Sequence, residues 1–136
     1  MIDHTGIHVS DLARSKAFYL QVLATLGHGI RQELPDAVGF GSDPPAPGDD
    51  PGGGFWIAHA APFVPRSHVA FRAQDAAQVR AFHAAALRAG GTDNGAPGPR
   101  ARYHPGYYAA FVLDPDGYNI EAVCHGRGDA GEGTAG

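Results

Sequence analysis

Two stretches of the chain carry the same alternation of apolar and polar positions, followed by the same change of period. Sliding the sequence by 64 residues lays IDHTGIHVSDLARSKAFYLQVLATLG (2–27) on RSHVAFRAQDAAQVRAFHAAALRAGG (66–91) without a gap. His4 then meets His68, Asp11 meets Asp75, Phe18 meets Phe82, Leu23 meets Leu87 and Gly27 meets Gly91. Each copy opens with period-two alternation over about seven residues, the pattern of a strand with one buried face. An aspartate follows (Asp11, Asp75), placed to cap a helix start. The period then becomes helical: Phe18, Tyr19, Val22, Leu23 and Leu26 form one apolar stripe, and Val79, Phe82, Ala86 and Leu87 the other. Gly27 and Gly91 close the helices as left-handed residues would. The pattern predicts a duplicated strand–helix unit.

The rest of each unit is less regular. ELPDAVGF (33–40) and FWIAHA (55–60) read as strands. Between them, GSDPPAPGDDPGGG (41–54) has too many prolines and glycines for a helix or a ladder and reads as a surface loop. In the second copy, YYAAFVL (107–113) and YNIEAV (118–123) are strands joined by the turn sequence DPDG, hairpin chemistry that needs no catalytic role. Matching GFWIA (54–58) to GYNIE (117–121) requires an offset of 63 and sets Glu121 against Ala58. Strand alternation puts Ile7 and Val9 on one face and His4, Gly6 and His8 on the other. By the same rule Val69 and Phe71 oppose His68, Ala70 and Arg72, and Glu121 shares a face with Asn119 and Val123. The apolar faces belong against the helices, so His4 and His68 look away from them.

Composition narrows the class. A chain of 136 residues is long enough for one domain with a single core. The formal charge of −4, with no basic run, argues against nucleic acid or an anionic membrane surface as partner. MIDHTGIHVS lacks the charged flank and apolar stretch of a signal peptide, and no apolar run could span a bilayer. The lone Cys124 cannot form an internal disulfide, which fits a reducing, cytoplasmic setting. HGRGDAGEGTAG (125–136) has no large apolar side chain to bury and reads as a flexible tail.

Three motifs, IDHTGIHVSDLARSKAFY, SHVAFRAQD and FVLDPDGYNIEAV, together resemble the vicinal oxygen chelate superfamily. That superfamily includes glyoxalase I, fosfomycin-resistance enzymes, extradiol dioxygenases and bleomycin-resistance proteins. The resemblance covers residues 1 to 124 and implies an α+β fold. Two tandem βαβββ modules, 1–62 and 63–124, would form a cupped, mostly antiparallel sheet with helices outside. It also implies a metal held by the first and last strands of each module. Those positions are His4, Ala58, His68 and Glu121, so His4, His68 and Glu121 are the expected ligands. Homodimers are common among such proteins.

Two imidazoles and one carboxylate suit a single divalent ion (Zn, Fe, Mn, Ni or Co) without selecting one. Three protein ligands leave positions for water and for two neighbouring oxygens of a small-molecule substrate. In glyoxalase I a metal-site glutamate moves the proton, and here its partner position is alanine. His8, on the face of His4, and the segment RARYHPGYY (100–108), with Tyr103, His104, Tyr107 and Tyr108, are the candidate replacements. Arg100 and Arg102 could hold a carboxylate or phosphate. His59, His83 and His125 read as structural or surface residues, and Trp56 as a packing residue at a module or subunit contact. The expected function is a metal-dependent lyase, isomerase or dioxygenase acting on a small oxygen-rich molecule. The alternative is a metal-free binding protein that sequesters an antibiotic or other small molecule.

Overall fold

The computed structural model describes residues 1–126. Along the chain run β1 (Thr5–Val9), α1 (Leu12–Ala24), β2 (His28–Leu34), β3 (Ala37–Ser42) and β4 (Phe55–His59). The series then repeats as β5 (His68–Arg72), α2 (Ala76–Arg88), β6 (Thr92–Pro99), β7 (Tyr108–Leu113) and β8 (Asn119–Cys124). The strands form two four-stranded sheets, ordered β1-β4-β3-β2 and β5-β8-β7-β6. In each, the first strand of the unit lies parallel to the last and the other neighbours are antiparallel. The fold is the expected α+β duplication.

The helices start where the aspartates predict. Asp11 accepts the backbone N–H of Arg14 at 3.0 Å, and Asp75 that of Gln78 at 2.8 Å. Each side chain thereby satisfies a donor that has no partner within its helix. Gly27 closes α1 in the left-handed region (φ 84°), but the end of α2 differs from expectation. Gly90, not Gly91, is the left-handed residue closing α2 (φ 101°), and Gly91 N–H reaches back to the Ala86 carbonyl at 2.8 Å. Leu87 is 41% exposed, and Ala85 takes a buried place on the stripe instead. β2 and β6 go beyond the strands the sequence pattern predicts. The stretch 33–40 also divides at a turn, because Pro35 and Asp36 end β2 before β3 begins.

One core runs through both units. Ile7, Val9, Phe18, Tyr19, Phe40 and Ile57 from the first meet Phe82, Val112, Tyr118 and Ile120 from the second, all essentially solvent-free. α1 packs against α2. By contrast Gly6 and His8 on β1, and His68, Ala70 and Arg72 on β5, are exposed. The faces opposite the helices are therefore open on both first strands.

The DPDG turn has a role beyond its hairpin. Asp114 is buried, and its Oδ1 accepts the backbone N–H groups of Asp116 (2.9 Å) and Tyr118 (3.0 Å). Its Oδ2 accepts the Tyr19 hydroxyl from α1 at 2.5 Å. Asp116 accepts the Ser10 N–H at 3.1 Å and the Ser10 hydroxyl at 2.5 Å. The Tyr118 hydroxyl donates to the His8 carbonyl at 2.6 Å and accepts the Phe63 N–H at 2.8 Å. One hairpin of the second unit is thus tied to β1 and α1 of the first.

Burial raises the Asp114 carboxyl above its ordinary value, with the three donors pulling the other way. Burial, with Asp114 beside it, pushes the Tyr19 hydroxyl well up. Asp114→Ala should cost about 3 kcal/mol in urea denaturation, because it strands three donors, whereas Tyr19→Phe should cost about 1 kcal/mol. A carboxyl whose folded pKa is raised stabilises the fold fully at low pH and loses that contribution as pH rises through the folded value. From about pH 4 upward, wild type should therefore lose stability relative to Asp114→Asn. Parallel stability curves for the two proteins would contradict this reading of the latch.

Candidate functional site

The parallel register of β5 and β8 pairs His68 with Asn119 and Ala70 with Glu121. His68 and Glu121 consequently project from the same face, the one opposite the helices. His68 Nδ1 lies 2.8 Å from the Asn119 carbonyl oxygen. A carbonyl only accepts, so Nδ1 carries a proton toward Asn119. Nε2 faces Glu121 Oε1 at 3.0 Å. A proton on Nε2 bridges that contact in the metal-free protein, and a metal ion taking its place would have both atoms as ligands.

Glu121 is 3% exposed, although it sits on the open side of the sheet. Its second oxygen accepts the Tyr107 hydroxyl. Burial, then the hydrogen bond to Glu121, pushes the Tyr107 pKa up to about 12, so it stays a donor. The carboxylate is thereby oriented with Oε1 toward His68. A donor fixing one oxygen and a backbone carbonyl fixing the imidazole tautomer are the supports that metal-ligating side chains require. The donor set fits a divalent ion.

The other expected ligand lies elsewhere in the chain. His4 precedes β1, half-exposed, with Nδ1 2.7 Å from Asp3 Oδ1 and 3.9 Å from Asp50 Oδ2. The hydrogen bond to Asp3 raises the His4 pKa. Asp3, His4 and Asp50 have ligand atoms within 4.8 Å of one another, whereas among the described residues His4, His68 and Glu121 form no such group. The strand register also changes the counterpart of Glu121. Ala70 opposes Glu121, and Gly6, the matching residue on β1, opposes Trp56. Trp56, not Ala58, therefore holds the equivalent place. Its indole donates to the Gly53 carbonyl at 3.1 Å and lies over Gly39, where an added Cβ would come within 2.7 Å of the ring.

Of the residues expected to move protons, Tyr107 bonds Glu121, whereas His8, Tyr103 and His104 are engaged elsewhere. The His8 ring packs on Phe63, centroids 4.6 Å apart. Tyr103 and His104 pack on the Tyr107 ring at 4.8 and 5.3 Å. His104 Nδ1 bonds the Pro105 carbonyl at 2.8 Å and its Nε2 meets His125 Nδ1 at 3.0 Å, so His125 joins this cluster. Arg100 is spent on the carbonyls of Ala96, Gly98 and Pro99. Arg102 stacks over Tyr103. His83 pairs with the exposed Asp93 at 2.9 Å, which lowers the Asp93 pKa. Tyr107 is the member of the 100–108 segment whose hydroxyl reaches Glu121. The signal for it was present, since Phe111 opposes Glu121 and Tyr107 lies four residues before Phe111, on the same face by alternation.

The model of the Glyoxalase/Bleomycin resistance protein/Dioxygenase superfamily matches residues 1–122. The chain belongs to that superfamily. A glyoxalase/bleomycin resistance protein from Albidiferax ferrireducens is 31% identical in sequence, with a TM-score of 0.71, covering 89% of this chain and 95% of its own. A putative glyoxalase from Bacillus halodurans (21% identity, TM-score 0.65, 90% of this chain and 94% of its own) shares the fold. So does lactoylglutathione lyase from Agrobacterium tumefaciens (20% identity, TM-score 0.63, 90% and 92%). No curated protein sequence matches significantly.

For this member of the superfamily, the geometry places a proton on one particular ring nitrogen. Long-range 1H–15N NMR of metal-free protein should show His68 Nδ1 protonated. A deprotonated Nδ1 would contradict the Asn119 contact and with it the orientation of Nε2 toward Glu121.

Proposed function

We propose that the chain is a divalent-metal-dependent enzyme, a lyase, isomerase or dioxygenase, acting on a small oxygen-rich substrate. His68 and Glu121 of one copy would hold the ion, with His4 of a second copy as third ligand. The observation that carries this reading is His68 Nε2 facing a buried, oriented carboxylate at 3.0 Å. The open faces of β1 and β5 support pairing of copies, since Gly6, His8, His68 and Ala70 are exposed there.

When bound, the ion supplies Lewis acidity, polarising a carbonyl or gathering two neighbouring substrate oxygens. The chain supplies the rest. Tyr107 holds Glu121 to one donor oxygen and keeps its own proton. His8, on the open face of β1, and the His104–Tyr103 cluster packed on Tyr107 would lie at the margins of the site. There they would shape the pocket or exchange protons with a substrate. Trp56 closes the position that a second carboxylate would fill. It is also the observation that favours the second reading, a metal-free module sequestering an aromatic small molecule, because an indole there offers contact area instead of a ligand.

Metal content separates the two. Full-length protein purified without a metal-affinity tag should carry, or take up on reconstitution, about one equivalent of divalent metal per chain. His68→Ala and Glu121→Ala should each abolish it, and Tyr107→Phe should weaken metal affinity about tenfold in a chelator competition. Undiminished metal in both ligand variants, or none taken up by wild type, would overturn the assignment.

A further inference from the structure

Between the first sheet and β5 lies a cavity of about 370 Å³, lined by neither His68 nor Glu121, although it reaches Ala70, the strand partner of Glu121. Its lining includes Phe40 and Phe55 from β3 and β4, Leu23 from α1, and Val69 and Phe71 from β5, with the 43–54 loop across it. The volume falls within the range of small-molecule sites, about 300–1,000 Å³. Its walls are aromatic. Phe55 stands edge-on to Phe71 at 5.0 Å between centroids and lies 6.4 Å from Phe40.

The lining is acidic. Asp3, Asp49 and Asp50 contribute carboxylates against one guanidinium, Arg31. Asp50 is anchored by the Gly52 N–H, donated to Oδ1 at 2.8 Å, so its Oδ2 is turned toward His4 at 3.9 Å and remains available. His28, at the start of β2, adds an imidazole whose Nδ1 is buried without a hydrogen-bond partner. Burial lowers the His28 pKa, so the ring adds no positive charge to offset the carboxylates near neutral pH.

The geometry points to a second binding site here, for a small organic cation with a flat aromatic body. The ring would lie against the phenylalanines while its ammonium group meets the carboxylates, where charge-assisted hydrogen bonds and cation–π attraction act together. An anion of the same shape would meet three like charges. A neutral isostere would retain only the apolar contacts. The site is separate from the His68–Glu121 pair and does not depend on the metal reading.

Calorimetric titration of full-length protein with naphthylmethylammonium, naphthylmethanol and naphthoate tests it. The cation should bind about tenfold tighter than the alcohol, and the naphthoate should not bind measurably. Asp49→Asn with Asp50→Asn, both in the 43–54 loop, should reduce the cation to the affinity of the alcohol, while Phe71→Ala weakens both. His68→Ala should leave all three titrations unchanged. Equal affinity for the three probes would overturn the proposal. So would binding that survives both sets of cavity changes, or binding that disappears in His68→Ala.

Discussion

A buried carboxylate decides how the two halves of this chain sit together. Asp114 spends one oxygen bracing its own turn and the other on the Tyr19 hydroxyl of the opposite unit's first helix. An unpaired polar atom at that depth would cost more than the bond itself contributes. The hairpin therefore cannot leave α1 without stranding it. Asp116 and Tyr118 extend the same seam to Ser10 and to the His8 carbonyl. With α1 packed on α2 and the hairpin locked to the end of β1, the face opposite the helices is left open on β1 and on β5.

That arrangement explains why the histidines of equivalent origin do not meet. His4 sits among Asp3 and Asp50, while His68 is committed to Asn119 and Glu121. In the second unit the ring contact, carboxylate orientation and burial are all set by close neighbours, the Asn119 carbonyl and the Tyr107 hydroxyl. The first half-site is bare, exposed at His4 and occupied by Trp56 where its counterpart carries Glu121. Duplication gave both units the same frame, and the side chains have since diverged toward different tasks.

Much of this was legible in the residues. The offset of 64 maps α1 (Leu12–Ala24) onto α2 (Ala76–Arg88) residue for residue, because a capping aspartate and an apolar stripe are local signals. β2 and β6 carry no comparable signal. A bulge between Ile30 and Gln32 breaks the alternation of β2. β6 contains Pro97, Pro99 and two register shifts, which an outer strand tolerates because one side of it need not pair. The faces of His68 and Glu121 followed from alternation, whereas His4 lies before β1, outside the strand. The equivalence of Trp56 with Glu121 did not, since it depends on parallel register between strands about fifty residues apart. The inter-unit role of DPDG was equally hidden, because the turn sequence accounts for itself locally and its partner Tyr19 lies 95 residues away.

The central claim is that the metal site is completed between two copies of the chain, and subunit complementation tests it most directly. His4→Ala and His68→Ala proteins, each unable to retain metal alone, would be unfolded together, refolded as a mixture, and assayed for bound metal. In a mixed pair, under the proposed arrangement, the intact His4 of one copy would meet the intact His68 and Glu121 of the other. The account therefore expects one restored site per mixed dimer, which requires both variants. A mixture that binds no more metal than the separate variants would contradict a shared site.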